Sequence, residues 1–288
     1  MAETPAVARH RLRGESHTVG VLGWPVAHSL SPAVHNAAFA AMSMDWVYVR
    51  LPVEPGRLEP ALDGLAALGF AGANVTMPHK TESARLSDVL SQDAGLLNAV
   101  NTFVVEGGAL HGHNTDTTGF DRFLRRDAGF DPAGRSALLF GAGGAARACA
   151  LALARGGLAA LTVAARDPAR ADLVRETVNG FGIDLRIRSF ADVDGVTADI
   201  VINATPLGAE GQELPVGSIG PSTLVVDLLT HPAVTPLQTA ARAAGATAFG
   251  GLGLLLHQAA LSFELWTGQQ PPLEVMSAAA VAELAERD

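Results

Sequence analysis

The chain has 288 residues, 48% apolar and 17% charged, enough for one large or two modest globular domains and unlike a disordered polymer. A formal net charge of -9 excludes a general nucleic-acid surface, and an anionic ligand must be held by local cations or backbone N–H groups. The single cysteine, Cys149, excludes an internal disulfide and fits a reducing compartment; its Ala-rich surroundings predict a small core residue.

Residues 1–16 mix Arg, Glu, Pro and His without the apolar segment of a secretory signal, and read as a flexible leader. Thr18–Leu22 is a predicted strand. Ser31 is the expected N-cap of a helix with Pro32 at its first position, running to about Ala41. A strand over Trp46–Val49, a helix over Leu58–Leu68 ending at Gly69, and a strand over Gly72–Val75 follow, with Pro78 opening the next helix. Strands alternating with helices predict a mainly parallel sheet with covered faces. Asn101–Val105 and Ala109–His111, joined by Glu106-Gly107-Gly108, form a predicted hairpin.

Beyond Asp116 the texture changes. A helix over Thr118–Arg126 precedes the apolar strand Ser136–Phe140, which runs into Gly141-Ala142-Gly143-Gly144-Ala145, a helix to about Arg155 and a strand over Leu161–Ala165. This strand, Gly-rich turn, helix, strand order is the context of a dinucleotide-binding unit, although Arg147 stands near the place of a third Gly. Outside that context the same turn reads equally as a tight connection. Strands at Leu185–Arg188, Ile200–Asn203, Leu224–Asp227 and Thr247–Phe249 continue a doubly wound α/β pattern, and Leu254–Trp266 and Leu273–Glu286 are helical. Apolar stretches break well short of 18 residues, which argues against a membrane span and makes cytoplasmic the expected location.

Three polar motifs follow short apolar runs: His28-Ser29-Leu30-Ser31-Pro32, Ala73-Asn74-Val75-Thr76-Met77-Pro78-His79-Lys80 and His113-Asn114-Thr115-Asp116. A lysine and a carboxylate on separate loops, amid Ser, Thr and Asn, suit proton transfer on a small polyhydroxylated substrate. A lysine near a helix N-terminus is poorly placed as a merely structural residue, because that dipole end is positive. His111 and His113 sit i, i+2 on a strand, yet no acidic or Cys cluster accompanies them, and no metal is expected. His257 is expected on a helix, facing a pocket wall or solvent.

These motifs, with Ala99-Val100-Asn101-Thr102, Asn203-Ala204-Thr205-Pro206 and Gly251-Leu252-Gly253 followed by Gln258, occur in an order that resembles the shikimate dehydrogenase family from about Val19 to Glu286. The resemblance implies two α/β domains: a substrate domain over 17–117 plus 253–288, onto which the last helices return, and a Rossmann-type domain over 118–252. It places the active site in a cleft between them, with hinge closure. It implies reversible reduction of 3-dehydroshikimate to shikimate with NADPH, a step of aromatic amino-acid biosynthesis, by a monomer or homodimer.

By the same resemblance Lys80 transfers the proton and Asp116 orients it, while Ser29 and Ser31 bind the substrate carboxylate. Thr76, Asn101, Thr230 and Gln258 complete the substrate site; Asn101 reads alternatively as a turn residue, and Ser31 as a cap. The cofactor set is Gly141, Ala142, Gly143, Gly144, Ala145, Arg166, Asp167, Arg170, Thr205, Leu228, Gly251 and Leu254. His28 and His79 lie at variable family positions, and His113 where an acid is frequent; none is assigned to catalysis.

Three departures bear on specificity. Arg166 and Arg170 supply guanidinium groups for a 2′-phosphate, whereas Asp167 replaces a family Thr and suits a bare ribose or a helix cap at Pro168, so NADP is expected and NAD is the alternative. Thr230 holds a position where the family has Tyr. Asn98 stands where Gly is common. Ser31, rather than a bulkier Thr, favours shikimate over quinate; the alternatives are an NAD-dependent quinate or shikimate dehydrogenase and a non-catalytic dinucleotide sensor on the same fold.

Overall fold

A computed structural model of the protein describes residues 16–287, so the leader expected over residues 1–16 lies, apart from Ser16, outside the described residues. In chain order the elements are β1 (His17–Gly23), α1 (Ser31–Ala41), β2 (Trp46–Pro52), α2 (Leu58–Ala67), β3 (Gly72–Val75), α3 (Lys80–Arg85), β4 (Val89–Leu90), α4 (Gln92–Leu97), β5 (Thr102–Glu106) and β6 (Ala109–His113). Then come α5 (Asp116–Arg126), β7 (Ser136–Phe140), α6 (Gly144–Arg155), β8 (Ala160–Ala164), α7 (Pro168–Thr177), β9 (Asp184–Arg188), β10 (Ile200–Asn203) and β11 (Leu224–Asp227). The chain continues through α8 (Pro236–Ala243), β12 (Thr247–Phe249), α9 (Leu252–Thr267) and α10 (Leu273–Ala285).

Two compact units divide it. One takes the chain up to Ser91, Val100–His113 and the chain from Ala259 onward; the other takes Gln92–Ala99 and Asn114–Gln258. The last of these boundaries falls inside α9, whereas the divisions expected from sequence are 117/118 and 252/253.

The first unit is built on a six-stranded sheet of order β2-β1-β3-β5-β6-β4. β1 pairs in parallel with β2 and β3, because a helix connects each successive pair. The expected hairpin enters antiparallel, β5 against both β3 and β6. Its Gly107 and Gly108 have φ of 59° and 87°, the left-handed pair that a two-residue turn requires. β1 is buried along Val19–Gly23, as befits a strand covered on both faces, and α1 packs on both α10 and β2. The short β4 and α4 were not anticipated; two and six residues are too few for periodicity to register.

The second unit carries a six-stranded all-parallel sheet of order β12-β11-β10-β7-β8-β9. Numbered from β7, this is the 3-2-1-4-5-6 arrangement of a dinucleotide-binding fold read from the other edge. Its strand order reverses between β7 and β10, where the carboxyl ends of neighbouring strands open a crevice. Cys149 is fully buried with Leu139, Leu153 and Val163 in this unit's core, as its neighbours predict. Among the described residues, no helix is long and apolar enough to cross a membrane.

Candidate active site

In the first unit, the loop after β1 carries Ser29 and Ser31. Helix α1 begins at Ser31 with Leu30, not Ser31, as its N-cap, and no side chain caps it. This corrects the expected cap: Leu30 is buried, which draws the chain into helical geometry one residue early. Ser29 takes up a local role instead, its Oγ accepting from the Ser31 N–H at 3.3 Å.

Thr76 follows β3, its N–H donating to the Leu22 carbonyl at 2.9 Å. The backbones approach closely here, since a Cβ on Gly23 would collide with the Thr76 methyl. Helix α3 starts at Lys80, two residues later than the Pro78 start expected from sequence. His79 intervenes as N-cap, buried, with Nε2 2.7 Å from the Val53 carbonyl. Lys80 is half-buried, and its carbonyl accepts from the Val100 N–H at 2.9 Å, tying the lysine's turn to the residue before Asn101.

Asn101 is 2% exposed and belongs to a buried polar network rather than to a surface turn. Thr102 Oγ1 donates to Asn101 Oδ1 at 2.9 Å. Asn74, paired with Thr102 across β3 and β5, donates from Nδ2 to Thr102 Oγ1 at 3.0 Å, to Ser262 Oγ at 2.9 Å and to the Asn101 carbonyl at 3.2 Å. Tyr48 Oη donates to Asn74 Oδ1 at 2.8 Å. Burial raises the Tyr48 phenol well above its ordinary value, opposed by a hydrogen bond with Ser31. Side chains thus connect Ser31 to Asn101 through the sheet. Asn74 and Tyr48 were not among the predicted site residues; the signal was a polar residue inside an otherwise apolar buried strand, Gly72–Val75.

In the second unit, α5 begins at Asp116 itself, two residues earlier than expected, and Asp116 is 6% exposed. Asn114 sets that start: its Oδ1 accepts from the Asp116 N–H at 3.0 Å while its Nδ2 donates to the Ala99 carbonyl at 2.9 Å. Gln258 lies on α9 against the first turn of α5, with Thr115 Oγ1 3.5 Å from its Oε1. A Cβ on Gly119 would meet the Gln258 N at 2.8 Å, so that glycine sets the close approach of the two helices. His257 is buried, with Nε2 3.0 Å from Asp127 Oδ2, so of the two placements its sequence context allowed, a pocket wall or solvent, the solvent-facing one is not taken. The Asp127 carboxylate gives the inward-facing ring a polar partner.

Most of the residues expected to bind the cofactor lie at or beyond the carboxyl ends of the second sheet's strands. Gly141 follows β7 with φ of 107°, and an added Cβ would meet the Ala204 carbonyl at 3.0 Å, so the turn at the crevice admits only glycine. Gly143 is the extended N-cap of α6, leaving the first N–H groups of Gly144 and Ala145 directed outward from a helix N-terminus. Thr205, after β10, is held by Asn203, whose Oδ1 accepts from its N–H at 3.0 Å and its Oγ1 at 2.7 Å. Asn203 in turn donates to Asp227 Oδ1 at 3.0 Å, and the Leu228 N–H to the Asn203 carbonyl at 2.9 Å. Burial holds the Asp227 carboxyl above its ordinary value despite hydrogen bonds from Thr235, Leu229 and Asn203. Gly251 donates its N–H to the Leu229 carbonyl at 2.9 Å, Thr230 is half-buried, and Leu254 is 9% exposed on α9. Arg166, Asp167 and Arg170 are exposed after β8, with Arg170 Nε 3.9 Å from Asp167 Oδ2.

Arg147, the residue near the third-glycine position, is 7% exposed and donates from Nη1 to the Leu97 carbonyl at 2.5 Å. It anchors α4 to α6, joined by Arg155 and Asp93 at 2.6 Å and by packing of Leu97 and Ala99 on Ala148 and Leu151. Asn98, in this anchored segment, has φ of 42°, a left-handed conformation that glycine adopts freely and that Asn tolerates better than most side chains.

An all-parallel sheet in this order, with a glycine turn at its crevice and a helix N-terminus behind it, defines the class of Rossmann-type dinucleotide-binding units. Comparison with known proteins narrows this. The model of the shikimate dehydrogenase substrate binding domain matches residues 21–103, and that of the shikimate 5'-dehydrogenase C-terminal domain matches residues 251–281. A shikimate dehydrogenase (NADP(+)) of Citrifermentans bemidjiense is 41% identical over 95% of this chain and 97% of its own. A crystal structure of a shikimate dehydrogenase in complex with NADP+ superposes with a TM-score of 0.88 at 37% identity, covering 95% of this chain and 98% of that one. The shikimate 5-dehydrogenase of Thermus thermophilus, in complex with NADP(H) and shikimate, gives a TM-score of 0.82 at 35% identity, covering 93% of this chain and 100% of that one. The chain belongs to the shikimate dehydrogenase family.

Proposed function

We propose that the protein is a shikimate dehydrogenase that reversibly reduces 3-dehydroshikimate to shikimate with NADPH, within aromatic amino-acid biosynthesis. The observation that carries this reading is identity of 41% over 95% of the chain with a shikimate dehydrogenase (NADP(+)). The residues at hand fit the cofactor: a glycine turn at φ 107° that no side chain can enter, the start of α6, and Arg166 and Arg170 at the end of β8. When bound, the nicotinamide supplies or accepts the hydride.

The protein's own groups do the rest. Ser29 and Ser31 bind the substrate carboxylate, and Thr76, Asn101 and Gln258 bind its hydroxyls or carboxylate. Thr102 holds Asn101 Oδ1 as an acceptor, which turns the amide N–H groups toward other partners. Lys80 moves the proton of the reacting hydroxyl, and Asp116 orients it; neither assignment requires a metal. Arg166 binds the 2′-phosphate that distinguishes NADP from NAD.

A turnover screen of shikimate and quinate against NADP and NAD tests the proposal. The highest kcat/KM is expected for shikimate with NADP; preference for quinate with NAD overturns it. Thr230→Tyr sharpens the substrate assignment, because restoring a phenol that adds one neutral hydrogen bond should raise kcat/KM for shikimate by roughly 2- to 12-fold. A fall for shikimate with quinate preferred would place a different ring in the site.

A further inference from the structure

Two guanidinium groups converge on one turn of the first unit. Arg287, at the C-terminal end of α10, donates from Nη1 to the His28 carbonyl at 2.7 Å and from Nη2 toward the Ser29 carbonyl at 3.5 Å. Arg50, on β2, donates from Nη2 to the same Ser29 carbonyl at 3.1 Å. Glu283, one turn back on α10, joins them, 2.7 Å from Arg287 and 3.8 Å from Arg50. One carboxylate between two guanidinium groups leaves a local excess of positive charge in a chain of net charge -9.

The turn is held from both sides. The Ser29 N–H donates to the Val26 carbonyl at 3.1 Å, while its carbonyl accepts from the two arginines. Ser29 Oγ, fixed by the Ser31 N–H, therefore has a defined direction at the start of α1. Isolated surface ion pairs contribute little to stability. Arg287 is 21% and Arg50 38% exposed, and their donors go to backbone of the serine motif, which points to a task beyond folding.

We infer that Arg50 and Arg287 are positioning residues for the substrate carboxylate: they hold the Ser29–Ser31 turn in its binding conformation and their excess charge draws the anion to it. This rests on the reading that Ser29 and Ser31 bind that carboxylate. The guanidinium fork matters, because a single ammonium cannot engage both the carbonyls and Glu283 in one plane.

Steady-state kinetics of Arg50→Ala, Arg287→Ala and the double variant, at low and high salt, test it. The KM for shikimate should rise about two- to fivefold in each single variant and about tenfold in the double. The kcat should stay within about twofold, since these groups act on binding and not on the chemical step, and the KM for NADP should not change. Wild-type KM for shikimate should climb with ionic strength, and the double variant should flatten that dependence, which a purely structural role would not do. An unchanged shikimate KM in the double variant, a matching rise for NADP, or an unaltered salt dependence overturns the inference. Should the alanine variants fail to fold, Arg50→Lys and Arg287→Lys keep the charge; a raised shikimate KM with the salt dependence retained is then expected, and wild-type KM overturns the fork. Ser29→Ala separates the two levels. If it raises the KM while the arginine variants do not, the inference fails alone; if it has no effect, the carboxylate reading of the turn fails.

Discussion

In the first unit, Ser31 and Asn101 are aimed by side chains: Tyr48, Asn74, Thr102 and Ser262 form a buried polar chain through a mixed sheet. In the second, Gly141, Gly143 and Gly251 are placed by backbone, at the ends of parallel strands, with Asn203 and Asp227 bracing the loops behind them. The difference follows the ligands proposed for each. A ring with several hydroxyls is read by directional side-chain donors and acceptors, whereas a pyrophosphate is met by backbone N–H groups that only close approach exposes.

The largest expected break separates chemistry from binding. Lys80→Ala should lower kcat by roughly 10²–10⁴ while leaving NADP binding intact, because a proton-transfer group acts in the transition state. Retention of kcat within about threefold, measured at saturation, would remove Lys80 from the proposed role. On the other unit, Arg166→Ala should weaken NADP by roughly 10- to 100-fold and leave NAD nearly unchanged, the effect of losing a charge-assisted contact that only the 2′-phosphate makes. Equal losses for both dinucleotides, by fluorescence titration, would place Arg166 elsewhere.

Asn74→Ala attacks the side-chain mode of the first unit. It leaves Tyr48, Thr102 and Ser262 short of a buried partner, so a stability loss of about 2–3 kcal/mol is expected, with a raised shikimate KM and an unchanged NADP KM. Denaturant unfolding and kinetics together check this; a loss below about 0.5 kcal/mol would mean that the network is not needed to hold Asn101.

A further difference between the units lies in acid response. His35 is fully buried, stacked 4.5 Å from Tyr48, and both ring nitrogens lack a hydrogen-bond partner. Burial pushes its pKa down to about 3 from 6.5. The unfolded chain therefore binds a proton below about pH 6.5 that the folded chain refuses, and stability falls as pH drops from 6.5 toward 3, by about 1.4 kcal/mol per pH unit once well below 6.5. Asp227 has the opposite sign: its raised pKa means that the folded state takes up a proton more readily, and acid relieves its burial. Hydrogen exchange at pH 5 should loosen the first unit before the second, and His35→Phe should abolish that order. Simultaneous loosening of both units in the wild type would count against the assignment to His35.

Much of this was legible from the chain. The glycine turn after an apolar strand, the Gly107-Gly108 hairpin and the strands Gly72–Val75, Ser136–Phe140, Ile200–Asn203 and Leu224–Asp227 appear at their expected bounds, because period and turn chemistry act locally. Helix starts were less legible. Ser31, Lys80 and Asp116 each open a helix at a residue that local capping rules did not choose, since buried Leu30, the His79–Val53 contact and the Asn114 bridge to Ala99 decide there.

The sequence by itself determined the family, the fold class and the residue types that its chemistry needs, since these are carried by local motifs and their order. Only the tertiary structure decided that His257 turns inward to Asp127, that Arg147 holds α4, that Asn74 links Tyr48 to Thr102, and that Arg50 and Arg287 meet at Ser29. The reason is physical. Each of these contacts joins residues far apart along the chain, and their energy comes from burial and partner geometry that exist only after the strands and helices have packed.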